Sequence, residues 1–346
     1  MLNGAVGGHS YWRSGFAPAT VGGSKPAMKR IALAMLIWAI AGSASPSGER
    51  STPVVATPIS LDPDDAAHDR FGGVRYLGGW QLASAEPRFG GYSALSVRDG
   101  QFIALADTGE YLEFRMTASG AVAAAHFGEL PAFPRGGQSK TDRDSESMTI
   151  DPSTGQIWVG FEQHNAIFHY AANFASMLSQ RRPAEMREWP ANFGPESMVR
   201  MSDGRFVILS ENAAMADGVK QALIFPGDPT DPRNVPIAFG YRPPPGYLAS
   251  DTAQLPDGRL IVLNRHFTMM DGFWAALTII DPRAIRPGEI LTGERVAEFR
   301  RPLNIDNMEG ISVVREGGRT ILWIISDDNQ LPIERTLLLK FALEIQ

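Results

Sequence analysis

The chain has 346 residues, 44% of them hydrophobic, and a formal net charge of -6 at pH 7. That charge, with no basic run, excludes a nucleic-acid partner or an anionic surface held by bulk attraction. Cysteine is absent, which excludes disulfides, zinc–thiolate sites, iron–sulfur clusters and thiol nucleophiles. The 35 glycines and 25 prolines favour many short strands joined by turns over long helices.

Residues 1–27 are glycine-rich and patternless, and read as an extension upstream of a true start at Met28. From there "MKRIALAMLIWAIAGSASP" has the three parts of a secretory signal: Lys29 and Arg30, an apolar run from Ile31 to Ile40, then small residues with cleavage after Ala41 or Ala44. The alternative is an N-terminal anchor, but the apolar run is short for a bilayer. Residues 28–44 are therefore assigned to a signal peptide, which predicts a periplasmic or secreted protein without stable membrane insertion after cleavage. Residues 45–70, rich in Ser, Pro and Asp, read as a linker, and 71–346 as one folded domain.

Within that domain a hairpin pattern recurs in chain order: "GGYSALSVRDGQFIALADTGE" (90–110), "DSESMTIDPSTGQIWVGFEQHN" (144–165), "GPESMVRMSDGRFVILSEN" (194–212), "LASDTAQLPDGRLIVLNRHF" (248–267) and "NMEGISVVREGGRTILWIISDDN" (307–329). Each has an apolar arm, a turn containing glycine, and a second arm rich in Ile, Val, Leu or Trp. A short segment with an aromatic precedes each one ("GGWQL", "AHFGEL", "REWPA", "IAFGY", "AEFRR"), and another apolar segment follows. Four strands per unit and a spacing of roughly 50–60 residues predict an all-β propeller of five four-stranded blades. Six blades is the alternative if one has diverged, and a large β-sandwich fits the repeated grammar poorly. The strand near 73–83 would complete the last blade and close the ring. One helical connection is expected over 172–186.

Aligning the hairpins on their turns puts one oxygen-bearing residue from each unit at the start of the innermost strand: Ser93, Glu146, Glu196, Ser250 and Glu309. Three carboxylates converging on a propeller axis would repel one another. Calcium, which takes six to eight oxygen ligands in a tolerant geometry, would resolve that, and no histidine belongs to the ring. A hydrated channel with partly protonated Glu and no metal is the alternative.

The ends of the second arms and their loops would share this face. Glu162, Glu211, Arg265 and His266 are the candidates for catalysis, and Asp107, Lys140, Arg143, Asp327 and Asp328 for substrate binding. Metal-assisted phosphoester hydrolysis needs a metal, a carboxylate to orient or deprotonate water, and cations, and each residue type is present. Solvated polar loops are the bland alternative. No G-x-S-x-G elbow and no phosphate-binding glycine loop occurs.

The series "YSAL", "SESM", "PESM", "ASDT" and "MEGI" resembles the soluble calcium-activated apyrases, and the resemblance implies an axial calcium held by one such residue per blade of a five-bladed propeller. "LPDGRLIVLNR" and "NMEGISVV…LWIISDDN", within 70–346, resemble the bacterial phytase-like family named for "esterase-like activity of phytase". That implies a propeller, a metal and phosphoester chemistry. A small, phosphorylated molecule is the expected substrate, and the protein is expected to be a monomer. Two other functions remain open. One is a non-catalytic propeller that binds a ligand or a protein and holds a structural calcium. The other is a lactonase-like metal-dependent hydrolase, a type whose axial Asn and Asp ligands are not evident in this pattern.

Overall fold

A computed structural model describes residues 52–345. The expected upstream extension, the signal segment 28–44 and the first residues of the 45–70 linker lie outside the described residues. Five antiparallel sheets form five blades. Blade 1 comprises Tyr92–Arg98, Gln101–Ala106, Glu110–Met116 and Val122–Glu129. Blade 2 comprises Ser145–Ile150, Ile157–Phe161, Ala166–Tyr170 and Met177–Arg181. Blade 3 comprises Ser197–Arg200, Phe206–Ala216, Val219–Phe225 and Ile237–Arg242, with Ile290–Thr292 added in parallel at its edge. Blade 4 comprises Leu248–Gln254, Leu260–Thr268, Gly272–Ile280 and Glu294–Phe299.

Blade 5 joins the two ends of the propeller. Asn307–Glu316, Arg319–Asp327 and Leu337–Leu343 are completed by Val74–Ser84, as the closing-strand expectation required. The first strand of each blade lies against the first strands of the two neighbouring blades, so the ring is closed. Residues 54–59, which read as linker, form a further strand, Val54–Ile59, on the outer edge of Val74–Ser84.

Burial explains why the second strands read as unbroken apolar runs. A blade is covered on both faces, so both sets of alternating side chains are buried. In blade 5, Ile321, Trp323 and Ile325 pack into the cluster shared with blade 1, whereas Leu322 and Ile324 pack into the cluster shared with blade 4. Five apolar clusters result, one for each blade–blade interface. The hairpin turns carry the glycines they need; Gly204, after Asp203, has φ of 89°. Gly310 serves close approach instead, since a Cβ there would lie 2.7 Å from the Leu95 backbone nitrogen in the next blade.

Blade 2 departs from expectation at its edge. "REWPA" is not a strand; Met177–Arg181 is the outer strand, between 3-10 turns at Ala172–Phe174 and Ala184–Met186 rather than within a helical connection. This edge is mostly exposed and has no apolar alternation to announce it. Trp189 is instead a plug between blades 2 and 3, with its indole N–H donated to Gln221 Oε1 at 3.0 Å.

Candidate metal centre

The ring of polar residues is built by a repeated irregularity in the first strand of each blade. Pairing with the second strand skips one residue at Ser93, Glu146, Ser250 and Glu309. Each is the extra residue of a β-bulge, the device that turns a side chain out of the pleat. Blade 3 reaches the same register without an assigned rung, because Pro195, which precedes Glu196, has no N–H to donate. Just beyond the bulge, the second strand places a second set of side chains. The backbone N–H groups of Asp107, Glu162 and Glu211 bond the carbonyls of Gly91, Asp144 and Gly194. Arg265 lies opposite Leu248 and Asp327 opposite Asn307 in the same register.

These two sets meet around a cavity of about 250 Å³ on one face of the disc. Seven carboxylates line it: Asp107, Glu146, Glu162, Glu196, Glu211, Glu309 and Asp327. Ser93, Arg265, Asn307, Asn329, Asn192 and Phe193 complete the wall. Ser250 does not reach it. Its hydroxyl donates to the Met308 carbonyl of blade 5 at 3.0 Å, so the expected fifth ligand is spent on holding two blades together.

The phytase-like family model, described as "Esterase-like activity of phytase", matches residues 87–330. This chain belongs to the phytase-like family. No curated protein matches it. Among solved structures it is similar to the major Malassezia sympodialis allergen Mala s 1, with 12% identity, 85% of this chain and 96% of that chain covered, and a TM-score of 0.44. It is likewise similar to a luciferin-regenerating enzyme, with 11% identity, coverage of 84% and 98%, and a TM-score of 0.40. The similarity to Kuenenia stuttgartiensis hydrazine synthase has 11% identity and a TM-score of 0.35, covers 70% of this chain and spans only 58% of that one. Likenesses this distant carry nothing over to the cavity of the phytase-like chain.

The electrostatics of that cavity are lopsided. Arg265 reaches inward and is the single cation among the described residues that line it. Its Nη1 pairs with Glu309 Oε1 at 2.6 Å and donates to Asn307 Oδ1 at 3.1 Å, and its Nη2 donates to Glu211 Oε1 at 2.7 Å and lies 3.5 Å from Glu196 Oε1. Burial outweighs this help. It pushes the carboxyl of Glu309 up to about 8 against the pull of Arg265, and that of Glu196 well above its usual range, with Glu211 adding to the rise. Asp327 is pushed up to about 7 by burial, although it accepts the Asn329 N–H at 2.7 Å.

On the blade 2 side Glu162 is raised to about 8, by burial first and then by the charges of Asp144 and Glu211. Burial also raises Glu146 well above its usual range, and Glu162 and Asp144 add to that. Asp144, Glu146 and Glu162 offer oxygens within 4.8 Å of one another, as do Glu162, Glu196 and Glu211. An all-oxygen set of this kind suits a hard divalent cation, with the side-chain carbonyls of the lining asparagines as further donors. The residues therefore fit calcium.

The remaining expected site residues are placed elsewhere. His266 points off the cavity, its Nδ1 bonded to the Gly246 carbonyl at 2.6 Å and its ring against Tyr247 and Trp274. It follows Arg265 on the same strand, so the pleat turns it to the opposite side. Arg143 is held by Glu129 at 2.6 Å and by the Thr108 carbonyl, over the ring of Phe133. Asp328 is consumed by the N–H groups of Gly91 and Gln330 and the hydroxyl of Thr336. Lys140 is largely exposed and pairs with Asp107 at 3.0 Å, at the rim.

Three kinds of residue escaped the sequence reading. Asp144 lies just before the blade 2 bulge, two residues from Glu146, where the carbonyl it shares with Glu162 marks the register. Asn307 holds the equivalent position two residues before Glu309, a repetition that could have found both. Asn192 and Asn329 come from irregular loops and had no such signal.

Proposed function

We propose that the phytase-like chain is an exported, calcium-binding hydrolase of phosphoesters that works on the face carrying the acidic cavity. What carries the reading is the imbalance of seven lining carboxylates against one guanidinium. A phosphorylated substrate would be repelled from such a cavity unless a divalent cation were bound first. The family description supports the same direction.

Asp144, Glu146 and Glu162 would hold the cation, with Glu196 beside them. Bound there, calcium supplies positive charge for a phosphoryl oxygen and lowers the pKa of water. Glu211, fixed by the Arg265 fork, keeps the second oxygen of its carboxylate for orienting water. Asp327, at about 7, can hold or release a proton near neutrality across the cavity. Arg265 is already occupied by carboxylates, so it serves the site's charge and not the substrate phosphate. Export is ascribed to residues 28–44, and N-terminal sequencing of the mature protein would detect cleavage after Ala41 or Ala44.

Phosphate release from phytate, a nucleoside diphosphate and an aryl phosphate, assayed with calcium and with chelator, tests the activity. Calcium-dependent release that falls in the Glu162→Gln, Glu211→Gln double variant is expected; full turnover by that variant would sink the proposal. A second reading rests on the origin of the lining carboxylates in four of the five blades, which lets a cation tie those blades together without catalysis. No release from any substrate, combined with a chelator-induced fall in Tm, would select it. The lactonase-like alternative gains Asn307 and Asn329 at the cavity and Asp144 beside Glu146 and Glu162, and hydrolysis of a lactone in the same assay series would reveal it.

A further inference from the structure

The register that builds the outer ring is acidic in four blades and basic in one. Asp107, Glu162, Glu211 and Asp327 occupy the position in blades 1, 2, 3 and 5, and Arg265 occupies it in blade 4. The guanidinium is half-buried and not left as a lone cation. It is clasped by Glu196 and Glu211 of blade 3 and by Glu309 of blade 5, with contacts from 2.6 to 3.5 Å. Its Nε is buried with no acceptor among the described residues, so the side chain is held by its two outer nitrogens. Beside this clasp Asp144, Glu146 and Glu162 form a second group of converging oxygens, with no cation within ion-pair distance among the described residues. Glu162 belongs to both groups of converging oxygens.

We infer that Arg265 is a built-in counter-cation standing where a second divalent ion would otherwise bind, and that it confines calcium to the Asp144–Glu146–Glu162 side. This rests on the divalent-cation reading of the centre, but it makes a claim of its own about a single residue. A guanidinium carries one charge in a planar fork that matches carboxylates from two blades. Removing it leaves Glu196, Glu211 and Glu309 buried and uncompensated, the arrangement that makes loss of one partner of a buried ion pair costly. A hard cation satisfies the same oxygens. Arg265 is thus a positioning residue that sets how many ions the centre takes and on which side.

The test replaces Arg265 by Met, which keeps length without charge, and by Lys, which keeps charge without the fork. Calcium stoichiometry is measured by equilibrium dialysis, and Tm in chelator and in calcium. Wild type is expected to bind calcium on one side only, and Arg265→Met to bind one ion more. Arg265→Met in chelator should melt ~10 °C below wild type and recover most of that loss in calcium but not in sodium. Arg265→Lys should keep the wild-type stoichiometry with a smaller fall in Tm. If wild type binds no calcium and Arg265→Met does, the counter-cation role of Arg265 stands, while the confinement of calcium to the Asp144–Glu146–Glu162 side and the proposed function both fall. Equal stoichiometry in wild type and Arg265→Met overturns it. So does an Arg265→Met chain that stays unfolded at every calcium concentration, because a divalent ion should then have replaced the missing charge.

Discussion

The two ends of the central axis are made from the same five strands and differ sharply in chemistry. At the bulged end, seven carboxylates face one another across a small cavity with one guanidinium between them. Toward the other end the strands regain regular pairing and line a larger cavity of about 800 Å³, with Leu95, Met148, Val199 and Ile311 in its wall. Polar groups there are satisfied by neighbouring blades. Ser197 donates to Thr252 Oγ1 at 2.6 Å, Ser312 accepts the Val97 N–H at 2.9 Å, and Thr149 accepts the Arg200 N–H at 3.0 Å. Even the buried carboxylate at that end, Asp251, accepts backbone N–H groups from Thr252 and Ile311 with its two oxygens. Burial raises Asp251 well above its ordinary value all the same, but the fold itself supplies its partners. Glu146 and Glu162, raised by burial and by neighbouring carboxylates with no ion-pair partner among the described residues, call for something from outside.

The largest effect that would sharpen this contrast is on calcium itself. Glu162→Gln should weaken calcium binding, read by calorimetry, by more than the ~10–100-fold that loss of an outer partner costs a metal site. Thr252→Val, at the opposite end, should leave it unchanged. Equal losses in both variants would erase the distinction between the ends.

Next comes the dependence of stability on pH. The acids of the bulged end have folded values raised above their ordinary ones, Glu162 and Glu309 from 4.5 to about 8 and Asp327 from 3.8 to about 7. A raised acid binds more protons in the fold, so its contribution is fully present below about pH 4 and is lost as pH climbs through 7 to 8. Protein in chelator should therefore lose Tm steadily from pH 5 to pH 8, and calcium should flatten the profile. Glu162→Gln should raise Tm in chelator at pH 8 while abolishing the calcium response. A Tm that rises over this range in chelator would contradict the uncompensated charge.

The smallest expected effect belongs to the other end. Ser312→Ala leaves the buried Val97 N–H without its acceptor and should cost about 1–3 kcal/mol in denaturant unfolding, with calcium affinity untouched. A changed affinity would mean that the two ends are coupled through the strands.

Much of this molecule was legible because the blade is a repeated solution to one burial problem. The turn glycines, the unbroken apolar second strands and the one-per-blade polar positions recur, so each unit corroborates the others. The five-blade closure through Val74–Ser84 followed from that repetition. What repeats least was missed. The outer strand Met177–Arg181 and the added strand Val54–Ile59 sit at sheet edges, where exposure removes the alternating pattern. Within the site, the register predicted which residues share a height but not where their side chains go. Ser250 is too short to pass up a backbone carbonyl 3.0 Å away, and Arg265 is long enough to cross to both flanking blades. Direction is set by partners from other blades, and a single hairpin's sequence does not contain them.

The closing strand has a consequence for how the chain assembles. Val74–Ser84 sits between Leu337–Leu343 and Val54–Ile59, so it has one neighbour near it in sequence and another at the far terminus. Four blades can complete themselves from local hairpins in the order in which they emerge. The fifth must keep an early strand available until the end of the chain arrives, and pays the full entropy of the longest loop in the molecule when the two meet. Formation of the acidic cavity waits on that event, because Glu309 and Asp327 belong to the last blade. A nascent or truncated chain would thus own most of the carboxylates but not the geometry, and ion binding would report on ring closure as much as on chemistry.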